Sequence, residues 1–452
     1  MSRASLAIGG ALLVGLASIV GGAIADETST GDKLRILYSK RFNFTDDGLP
    51  LITIEIASER SEVTLSNDAG VEVRPDGEGG AVIGSDATTW TIRVEDARPG
   101  EVKEWTVVES FGPDDRAGVD DAIARWKKRG HDPHSFEVGT LFGVDGEVID
   151  SRQVLVAVDP VAAPGGAARA AAIGKKFGVA PTVHAELVRR PSGTIVARGG
   201  DTVVKNPSVI WFAPIDDGGT LTVADVDVGA GGSQRVTARE TRRYFGSVYV
   251  TLGSDGQLVA VNAVPEDRFL AGLVPAEMYP EAADEALDAQ AIAARTELLQ
   301  KVGTRHLTDP YLLCSDQHCQ VYAGAGHEHA RTTRAVERTR GRVLLRDGGG
   351  LADARYSASC GGHSENNDAI WGGDPDPSLR GALDARPGTK TAKKFTDGIT
   401  ADNIDAFLAA PQSDFWESKT KWAKGRLRWS EKRTAKELDA LVASAYPNLG
   451  SV

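Results

Sequence analysis

The sequence predicts an α+β protein: a β-rich scaffold with helices, interrupted by an inserted ferredoxin-like βαββαβ unit. Short runs of Val, Ile and Thr alternate with polar residues from Lys33 to about Val94 and again over residues 200–265, a pattern typical of small antiparallel strands. Between these regions, strand and helix patterns follow one another in the order βαββαβ. After them, apolar residues recur at helical spacing from Pro280 to Val302, which predicts a long helix.

Length and composition indicate a globular protein with more than one domain. A chain of 452 residues exceeds one typical domain of about 100–200 residues. Its 41% hydrophobic and 25% charged residues are ordinary for a chain that buries a core in water. The formal net charge of -12 argues against a nucleic-acid partner, which normally requires a basic face.

The first 25 residues have the layout of a secretory signal peptide. Arg3 precedes an apolar run from Leu6 to Val20, and Ala23-Ile24-Ala25 forms a small-x-small cleavage site. The apolar run is shorter than the about 20 residues that a spanning helix needs. The alternative is an uncleaved signal anchor, which would be the only association with a membrane. We therefore expect an exported protein, periplasmic or associated with the cell envelope.

The insert is expected over residues 100–190. Two βαβ-like halves of this size commonly fold as a four-stranded sheet with both helices on one face. Its order and its W-T-V-x-x-S-F start resemble the SPOR domain, a peptidoglycan-binding module; the alternative is a structural insert without a ligand. The predicted elements are strands at Glu104–Ser110, Ser135–Phe142, Gln153–Val158 and Pro181–Val188, and helices at Ala117–Lys128 and Ala167–Phe177.

One carboxylate is distinctive, immediately before the predicted long helix. Glu277 follows the apolar segment Gly272–Ala276, and apolar surroundings raise the pKa of a carboxyl group by disfavouring its charged form. This setting suggests acid/base chemistry. A carboxylate near a helix start can instead serve as a cap or a partner of the helix dipole.

A series of motifs follows from about Tyr244 to Arg386. In order, they are VNAVPEDRFLAGLVPAEM, DEALDAQAIAART, CSDQHCQVYAG, AVERTRGRVLL, ARYSASCGGHSE, IWGG and LRG. Their order and spacing resemble the stage II sporulation protein D (SpoIID) / LytB amidase-enhancer family. The resemblance implies a SpoIID-like domain over residues 200–452, which the β-rich residues 33–98 accompany.

The resemblance implies that Glu277, the glutamate of the V-P-x-E-M motif, is the catalytic acid of a peptidoglycan lytic transglycosylase. Such an enzyme needs one carboxyl group, because the C6 hydroxyl of N-acetylmuramic acid attacks its own anomeric carbon to give a 1,6-anhydro end. One group can donate a proton and then accept one. The expected substrate is peptidoglycan glycan strands without stem peptides. The alternative is a non-catalytic peptidoglycan-binding protein that enhances a separate cell-wall amidase.

Cysteine and histidine residues cluster in the third of these motifs. Cys314, His318 and Cys319 form C-x3-H-C, and His306 lies shortly before them. Two thiolates and two imidazoles are a closed tetrahedral set for one structural zinc ion, and the resemblance allows zinc at this place. A disulfide between Cys314 and Cys319 suits an exported protein, and free thiols are the third alternative. In each case we expect a structural clip beside Glu277.

A glycine turn with hydroxyl groups on either side of it is the expected substrate-binding element. A glycine turn lets the backbone approach a sugar closely, and surface polar residues in a tight turn are the alternative. Trp371 suits stacking on a sugar ring, with burial in the core as the alternative. The predicted substrate-binding residues are Tyr356, Ser357, His363, Ser364 and Trp371.

Two departures from the family pattern favour the non-catalytic alternative. Ser378 stands where P-Y-L-R normally has a tyrosine of the active cleft. The sequence also lacks the G-H-G-V-G-M-x-Q motif with which many members continue. Both departures concern the cleft and leave the expected fold unchanged.

Overall fold

The structure, a computed structural model, describes residues 37–445 except 40, 46–47, 76–80, 84–86, 145, 217, 229–237, 348–349, 373–374 and 420–426. The predicted signal peptide, residues 1–25, lies outside the described residues. Among the helices that are described, none has both the length and the apolar character that crossing a membrane requires.

The strands of the described chain are numbered in sequence order. They are β1 (Asn43–Phe44), β2 (Pro50–Arg60), β3 (Glu62–Ser66), β4 (Val71–Arg74), β5 (Thr89–Arg98), β6 (Glu101–Phe111), β7 (Pro133–Val138), β8 (Leu141–Val144), β9 (Glu147–Asp150), β10 (Gln153–Ala162), β11 (Thr182–Arg189), β12 (Ser192–Gly199), β13 (Thr202–Asn206), β14 (Val209–Pro214), β15 (Leu221–Val228), β16 (Ala238–Tyr244), β17 (Ser247–Leu252), β18 (Leu258–Pro265) and β19 (Leu313–Cys314).

The α-helices are α1 (Arg116–Lys128), α2 (Gly166–Phe177), α3 (Glu266–Glu277), α4 (Asp284–Lys301), α5 (Ala330–Arg338), α6 (Asn367–Trp371), α7 (Lys390–Lys394), α8 (Ile404–Leu408) and α9 (Ala435–Ala445). Short 3-10 turns lie at Ala325–His327, Gln412–Asp414 and Glu417–Lys419. Strands and helices both contribute, so the α+β prediction is confirmed.

Two sheets bring together strands from before and after the insert. The first runs in the order β1-β2-β18-β17-β14-β4, and β19 adds to β2 in parallel, with Cys314 opposite Glu55. The second runs β13-β12-β5-β3-β15-β16. Ile54 of β2, Ile92 of β5 and Phe269 of α3 belong to one buried core. The two sheets and the helix that ends at Glu277 therefore share a hydrophobic core.

The insert forms its own sheet in the order β11-β6-β10-β7, with antiparallel neighbours throughout. Trp126 of α1 and Ile173 of α2 pack with Val156 and Val158 of β10, so both helices cover one face. The predicted order βαββαβ is present, with the hairpin β8–β9 added before β10. The assignment to the ferredoxin-like fold stays a prediction.

One predicted strand of the insert is interrupted. The sequence predicts a single strand over Ser135–Phe142, whereas β7 ends at Val138 and β8 begins at Leu141. Gly139 has φ +85, and a Cβ at this position would lie 2.2 Å from the carbonyl oxygen of Ser151. Its N–H donates to the carbonyl of Gly303 at 2.7 Å. The chain bends here because a glycine permits a conformation and an approach that other residues do not.

The helices around Glu277 differ in one respect from the prediction. The long helix forms as α4, and Leu287, Ala291, Ala294 and Leu298 are fully buried as predicted. The apolar segment Gly272–Ala276 forms the last part of a separate helix, α3, which is not predicted from the sequence. Leu37 and Tyr38 lie in the region where short strands are predicted from Lys33 to about Val94, but they are a helical and a turn residue.

Candidate active site

Glu277 is the last residue of α3, and that position fixes the direction of its carboxyl group. Pro275 has no N–H to donate, but the last turn still closes, because Met278 N–H donates to the carbonyl of Val274 at 2.9 Å. Upstream, Phe269 and Leu273 are fully buried against the sheets. The apolar face of α3 thus anchors the helix, and its C-terminal end presents a half-buried carboxyl group.

Three groups surround the Glu277 carboxyl. The Val321 N–H donates to Glu277 Oε1 at 3.1 Å, and the Tyr356 hydroxyl lies within hydrogen-bonding reach. Burial raises the pKa of Glu277, against the opposing effects of the Val321 N–H, a hydroxyl proton from Tyr356 and the charge of Lys301. Because burial prevails, the carboxyl holds its proton to higher pH than an ordinary glutamate, as a general acid must.

A short strap of consecutive residues connects this carboxyl to the cysteine–histidine cluster. In the strap, Cys319 belongs to the cluster, Gln320 accepts the Tyr356 hydroxyl at 3.2 Å, and Val321 donates to Glu277. Lys301, at the end of α4, donates to the Cys319 carbonyl. Cys319 and Val321 are two residues apart, so a displacement of Cys319 would also displace the N–H group that donates to Glu277.

The four predicted ligands of the cluster lie together. The ligand atoms of His306, Cys314, His318 and Cys319 all lie within 4.8 Å of one another. His306 Nε2 is 3.2 Å from Cys319 Sγ, and His318 Nδ1 is 3.5 Å from Cys314 Sγ. These separations match the edges of a tetrahedron around zinc with Zn–S of about 2.3 Å and Zn–N of about 2.0 Å. Both cysteines are unbonded thiols in this structure.

A carboxylate beside the cluster contacts His306. Asp309 Oδ2 lies 2.9 Å from His306 Nδ1, which leaves Nε2 directed at the sulfurs. Burial works against the charged imidazole, but Asp309 and Cys314 outweigh it and raise the pKa of His306 to about 9. A carboxylate behind a histidine is the usual way in which a zinc ligand is oriented. His306 has φ +52, in the left-handed region of the backbone.

The two cysteines of the cluster differ in their protonation. The hydrogen bond with Cys319 and burial raise the pKa of Cys314, whereas the hydrogen bond with Cys314 lowers the pKa of Cys319. One thiol therefore supports the thiolate form of the other. The third cysteine, Cys360, lies in a different group, with the carboxylates of Asp384 and Glu417.

The predicted glycine turn forms, but its glycines serve packing. Gly361 has φ +64 and Gly362 has φ +93. A Cβ on Gly362 would lie 2.6 Å from the ring of Phe415, so the close approach that requires glycine is to this buried ring. The Ser364 hydroxyl and the Ala382 N–H form a hydrogen bond of 2.8 Å, and His363 Nδ1 lies 2.6 Å from the Ser364 carbonyl. Both side chains thereby hold the turn.

The remaining predicted substrate residues lie at the surface. The Trp371 side chain is exposed, with 58% of its area accessible, and the Arg355 guanidinium stacks 4.0 Å above its ring. The alternative of burial in the core is therefore wrong for Trp371. Ser357 and Ser378 are also exposed. Of the substrate-binding residues predicted from the sequence, Tyr356 is the one with a contact to Glu277 in the described structure.

Several residues that shape the site escape sequence reasoning. Gln320 and Val321 lie inside the CSDQHCQVYAG motif, where the cysteines and histidine attract attention. Lys301 pairs with Glu297 at 2.6 Å, a spacing of four residues along α4 that the sequence does contain. The positions of Gln320, Val321 and Lys301 relative to Glu277 depend on how the strap packs on α4. This packing cannot be predicted from a local sequence pattern.

Comparison with known proteins identifies the family that the region around Glu277 matches. Residues 254–345 match the model of the SpoIID family, described as Stage II sporulation protein. The chain contains a SpoIID-family domain. The family prediction is confirmed, and the matched residues include Glu277 and the cysteine–histidine cluster. The turn that carries Tyr356 lies beyond them.

Relatives agree with this assignment. The chain is 32% identical over 188 residues to the "Amidase enhancer" of Bacillus subtilis (strain 168), which is 40% of this chain and 24% of that protein. It is 29% identical over 126 residues to "Stage II sporulation protein D" of Bacillus amyloliquefaciens, 25% of this chain and 36% of that one. An uncharacterized protein of Brachyspira hyodysenteriae is 32% identical over 129 residues, 28% of this chain and 34% of the relative. The chain thus spans between 24% and 36% of the length of these relatives.

Proposed function

We propose that this SpoIID-domain protein is an exported lytic transglycosylase that cleaves the glycan strands of peptidoglycan in cell-wall remodelling. The observation that carries the proposal is the Glu277 carboxyl, whose pKa is raised by burial and which is held between the Val321 N–H and the Tyr356 hydroxyl. A carboxyl whose pKa is raised keeps its proton to higher pH, and a protonated carboxyl can protonate a leaving oxygen. The names of two relatives, an amidase enhancer and a sporulation protein, are consistent with work on the cell wall.

The reaction uses one carboxyl group in two roles. Glu277 donates its proton to the glycosidic oxygen as the bond from this oxygen to C1 of N-acetylmuramic acid breaks. The C6 hydroxyl oxygen of the same sugar bonds to C1 and closes the 1,6-anhydro ring. The carboxylate of Glu277 then takes the proton that the C6 hydroxyl releases, which restores the acid. No water is consumed, so a second carboxylate to activate water is not required.

Residues around Glu277 would position the strand. Tyr356 lies beside the Glu277 carboxyl. Trp371, fifteen residues after Tyr356 in the sequence, has an exposed ring on which a sugar could stack. Ser357 is exposed and free to contact a sugar hydroxyl, whereas Ser364 and His363 act through the shape of the turn. We expect glycan strands without stem peptides as substrate, and the SPOR-like insert as an additional contact with them.

We further propose that one structural zinc ion is bound by His306, Cys314, His318 and Cys319. Four protein ligands leave no open position for substrate, so the ion would supply rigidity. The consequence at Glu277 would come through the strap of Cys319, Gln320 and Val321. A disulfide between the two cysteines would serve the same purpose, and metal analysis separates the two.

The second candidate function is a non-catalytic glycan-binding protein that enhances a cell-wall amidase. The name of the Bacillus subtilis relative favours it. The exposed Ser378, at the place of the tyrosine that the family pattern has in its cleft, also favours it, because a serine side chain cannot extend over a sugar. The partner would then be the amidase in addition to the glycan strand.

Product analysis decides between the two. Glycan strands freed of stem peptides are incubated with the mature protein, with Glu277→Gln and with the matched control Glu281→Gln, whose side chain is exposed four residues further on. We expect 1,6-anhydro ends from the wild type and the control, and none from Glu277→Gln, which still sediments with the strands. No anhydro ends from any of the three, together with stimulation of an added amidase, would establish the second candidate.

A further inference from the structure

The C-terminal ends of the two helices of the insert meet each other. The Trp126 ring of α1 and the Phe177 ring of α2 lie 5.1 Å apart, with 75° between their planes. Trp126 is fully buried, and both rings belong to the core between the helices and the sheet. The residues that precede or follow these rings along each helix turn away from this core and reach solvent.

Five cationic side chains surround the two rings. All five are exposed and lie within three residues of Trp126 or Phe177: Lys127, Lys128, Arg129, Lys175 and Lys176. The Arg129 guanidinium lies over both rings, 4.5 Å from the centroid of Trp126 and 5.3 Å from that of Phe177. The Lys176 ammonium lies 4.9 Å from the Phe177 centroid. The five residues from the two helices therefore form one basic surface.

The basic surface has no carboxylate partner among the residues that the structure describes. Other exposed arginines of the chain do have one, as Arg338 pairs with Asp288 at 2.6 Å. Glu109, below the end of α1, is occupied by Arg125 at 2.6 Å. Like charges close together repel, and a chain with a net charge of -12 contains many acids that could offset them. Pairing within the chain therefore does not explain the basic surface.

The helix dipoles and the nearby acids offset only part of this charge. The C-terminal end of a helix carries roughly half a negative charge, so the two ends together offset about one of the five cations. Asp159 of β10 is occupied by His131 at 2.7 Å and by Arg169. Asp132, three residues after Arg129, is exposed and can offset one more cation. Roughly three positive charges thus remain without a counter-charge in the described chain.

We propose that the basic surface binds the anionic headgroups of a phospholipid membrane. Four of its five residues are lysines, which are flexible point charges without the fixed donor geometry of arginine. Such residues on an exposed surface suit charge that is spread over many headgroups, whereas one bound phosphate requires donors that converge in a pocket. Each lysine or arginine near an anionic bilayer strengthens binding about fivefold.

The charge of the whole chain restricts how it can approach such a membrane. With a net charge of -12, most of the protein surface is repelled by anionic headgroups. Attraction acts over a range of about 10 Å at 0.1 M salt, so it is confined to the basic surface. An uncleaved signal anchor is the only membrane association that the sequence predicts, and this contact is independent of it. The contact is also independent of the reaction at Glu277.

Vesicle sedimentation tests the proposal with the mature chain, residues 26–452, from which the apolar N-terminal run is absent. The vesicles contain either equal parts of phosphatidylglycerol and phosphatidylcholine or phosphatidylcholine alone. We expect binding to the anionic vesicles only, and added salt should weaken it. Lys127→Gln/Lys128→Gln should lower the affinity about 25-fold, as two fivefold losses, and Lys175→Gln/Lys176→Gln should do the same.

The matched control is Lys393→Gln/Lys394→Gln. These two lysines are also exposed, adjacent and in the last turn of a helix, α7, and their replacement changes the net charge by the same amount. The control should bind anionic vesicles as the wild type does. Lys127→Arg/Lys128→Arg keeps the charge and should also retain the affinity. Thermal unfolding verifies that each variant is folded.

Three vesicle results would overturn the proposal. They are equal binding to neutral and anionic vesicles, wild-type affinity in both glutamine variants of the basic surface, and an equal loss in the control. The last result would mean that net charge, and not the position of the lysines, governs binding. Soluble polyglycerol phosphate is the second probe. Binding to this polymer without binding to vesicles would assign the basic surface to phosphodiester polymers, and it would overturn the membrane proposal as well.

Discussion

The buried ion pair between Glu266 and Arg295 should be the most sensitive stability element near the site. The two side chains are 7% and 2% exposed, and Arg295 Nε lies 2.5 Å from Glu266 Oε1. The same guanidinium donates to the carbonyl of Thr339 at 2.7 Å and to that of Val336 at 3.4 Å, at the C-terminal end of α5. Arg295 thus joins the start of α3, the middle of α4 and the end of α5.

Replacing this arginine with methionine should cost about 3–5 kcal/mol of unfolding free energy, because an uncompensated carboxylate is left in the core. Burial already raises the pKa of Glu266, and the Arg295 charge opposes this. In Arg295→Met the pKa rises further, so the folded state takes up a proton at low pH. Stability that depends on a raised pKa is present at low pH and lost as pH rises, so the loss should be smaller in acid than in alkali.

Urea unfolding followed by circular dichroism measures this loss across pH. Adding Glu266→Gln to Arg295→Met removes the orphaned charge and should recover on the order of 1–3 kcal/mol. Arg334→Met, an exposed arginine of α5, is the control and should change stability by less than about 0.5 kcal/mol. A loss below about 1 kcal/mol in Arg295→Met, or a double variant no more stable than the single one, refutes the reasoning.

Three further results are expected. Burial raises the pKa of Glu277, so the stability of the wild type falls as pH rises through that pKa. Glu277→Gln lacks this loss. Urea titrations should therefore show that the stability of Glu277→Gln relative to the wild type increases toward alkaline pH, and a decrease would contradict the reasoning. Gly362→Ala should lower stability by about 1–3 kcal/mol, because Gly362 has φ +93 and the added Cβ would collide with the Phe415 ring. Gly388 has φ +83 but open space around it, so Gly388→Ala should lower stability clearly less. Thermal unfolding measures both losses, and equal losses would contradict the prediction. Elemental analysis of protein purified without chelator should find about one zinc per chain, lost in Cys319→Ser; absent zinc with two missing thiols would mean a disulfide.

Patterns that depend on neighbouring residues were predictable from the sequence. The spacing of Leu287, Ala291, Ala294 and Leu298 predicted the buried face of α4, and the paired glycines at Gly361 predicted a turn. The cysteine and histidine residues from Cys314 to Cys319 lie within one loop, so their proximity follows from the short chain between them. The family motifs also identified Glu277, because the residues around it form a continuous and recognisable stretch of sequence.

Other features required the folded chain. The helix α3 is not predicted from the sequence; it continues through Pro275 to Glu277, and Phe269 and Leu273 upstream are fully buried. The sequence predicted that a sugar approaches the turn at Gly362, whereas in the structure the Phe415 ring occupies the space beside this glycine.

The sequence by itself predicted the fold class, the SpoIID-family domain, a raised pKa at Glu277 and a loop that gathers cysteine and histidine residues. Only the tertiary structure decided what Glu277 contacts, because Val321 and Tyr356 reach it from two separate segments, and Gln320 joins the first of these segments to α4 and to Tyr356. Hydrophobic periodicity specifies which face of an element is buried. The partners of one carboxyl group depend on side-chain geometry at a scale of a few ångströms, and all the neighbouring residues together set this geometry.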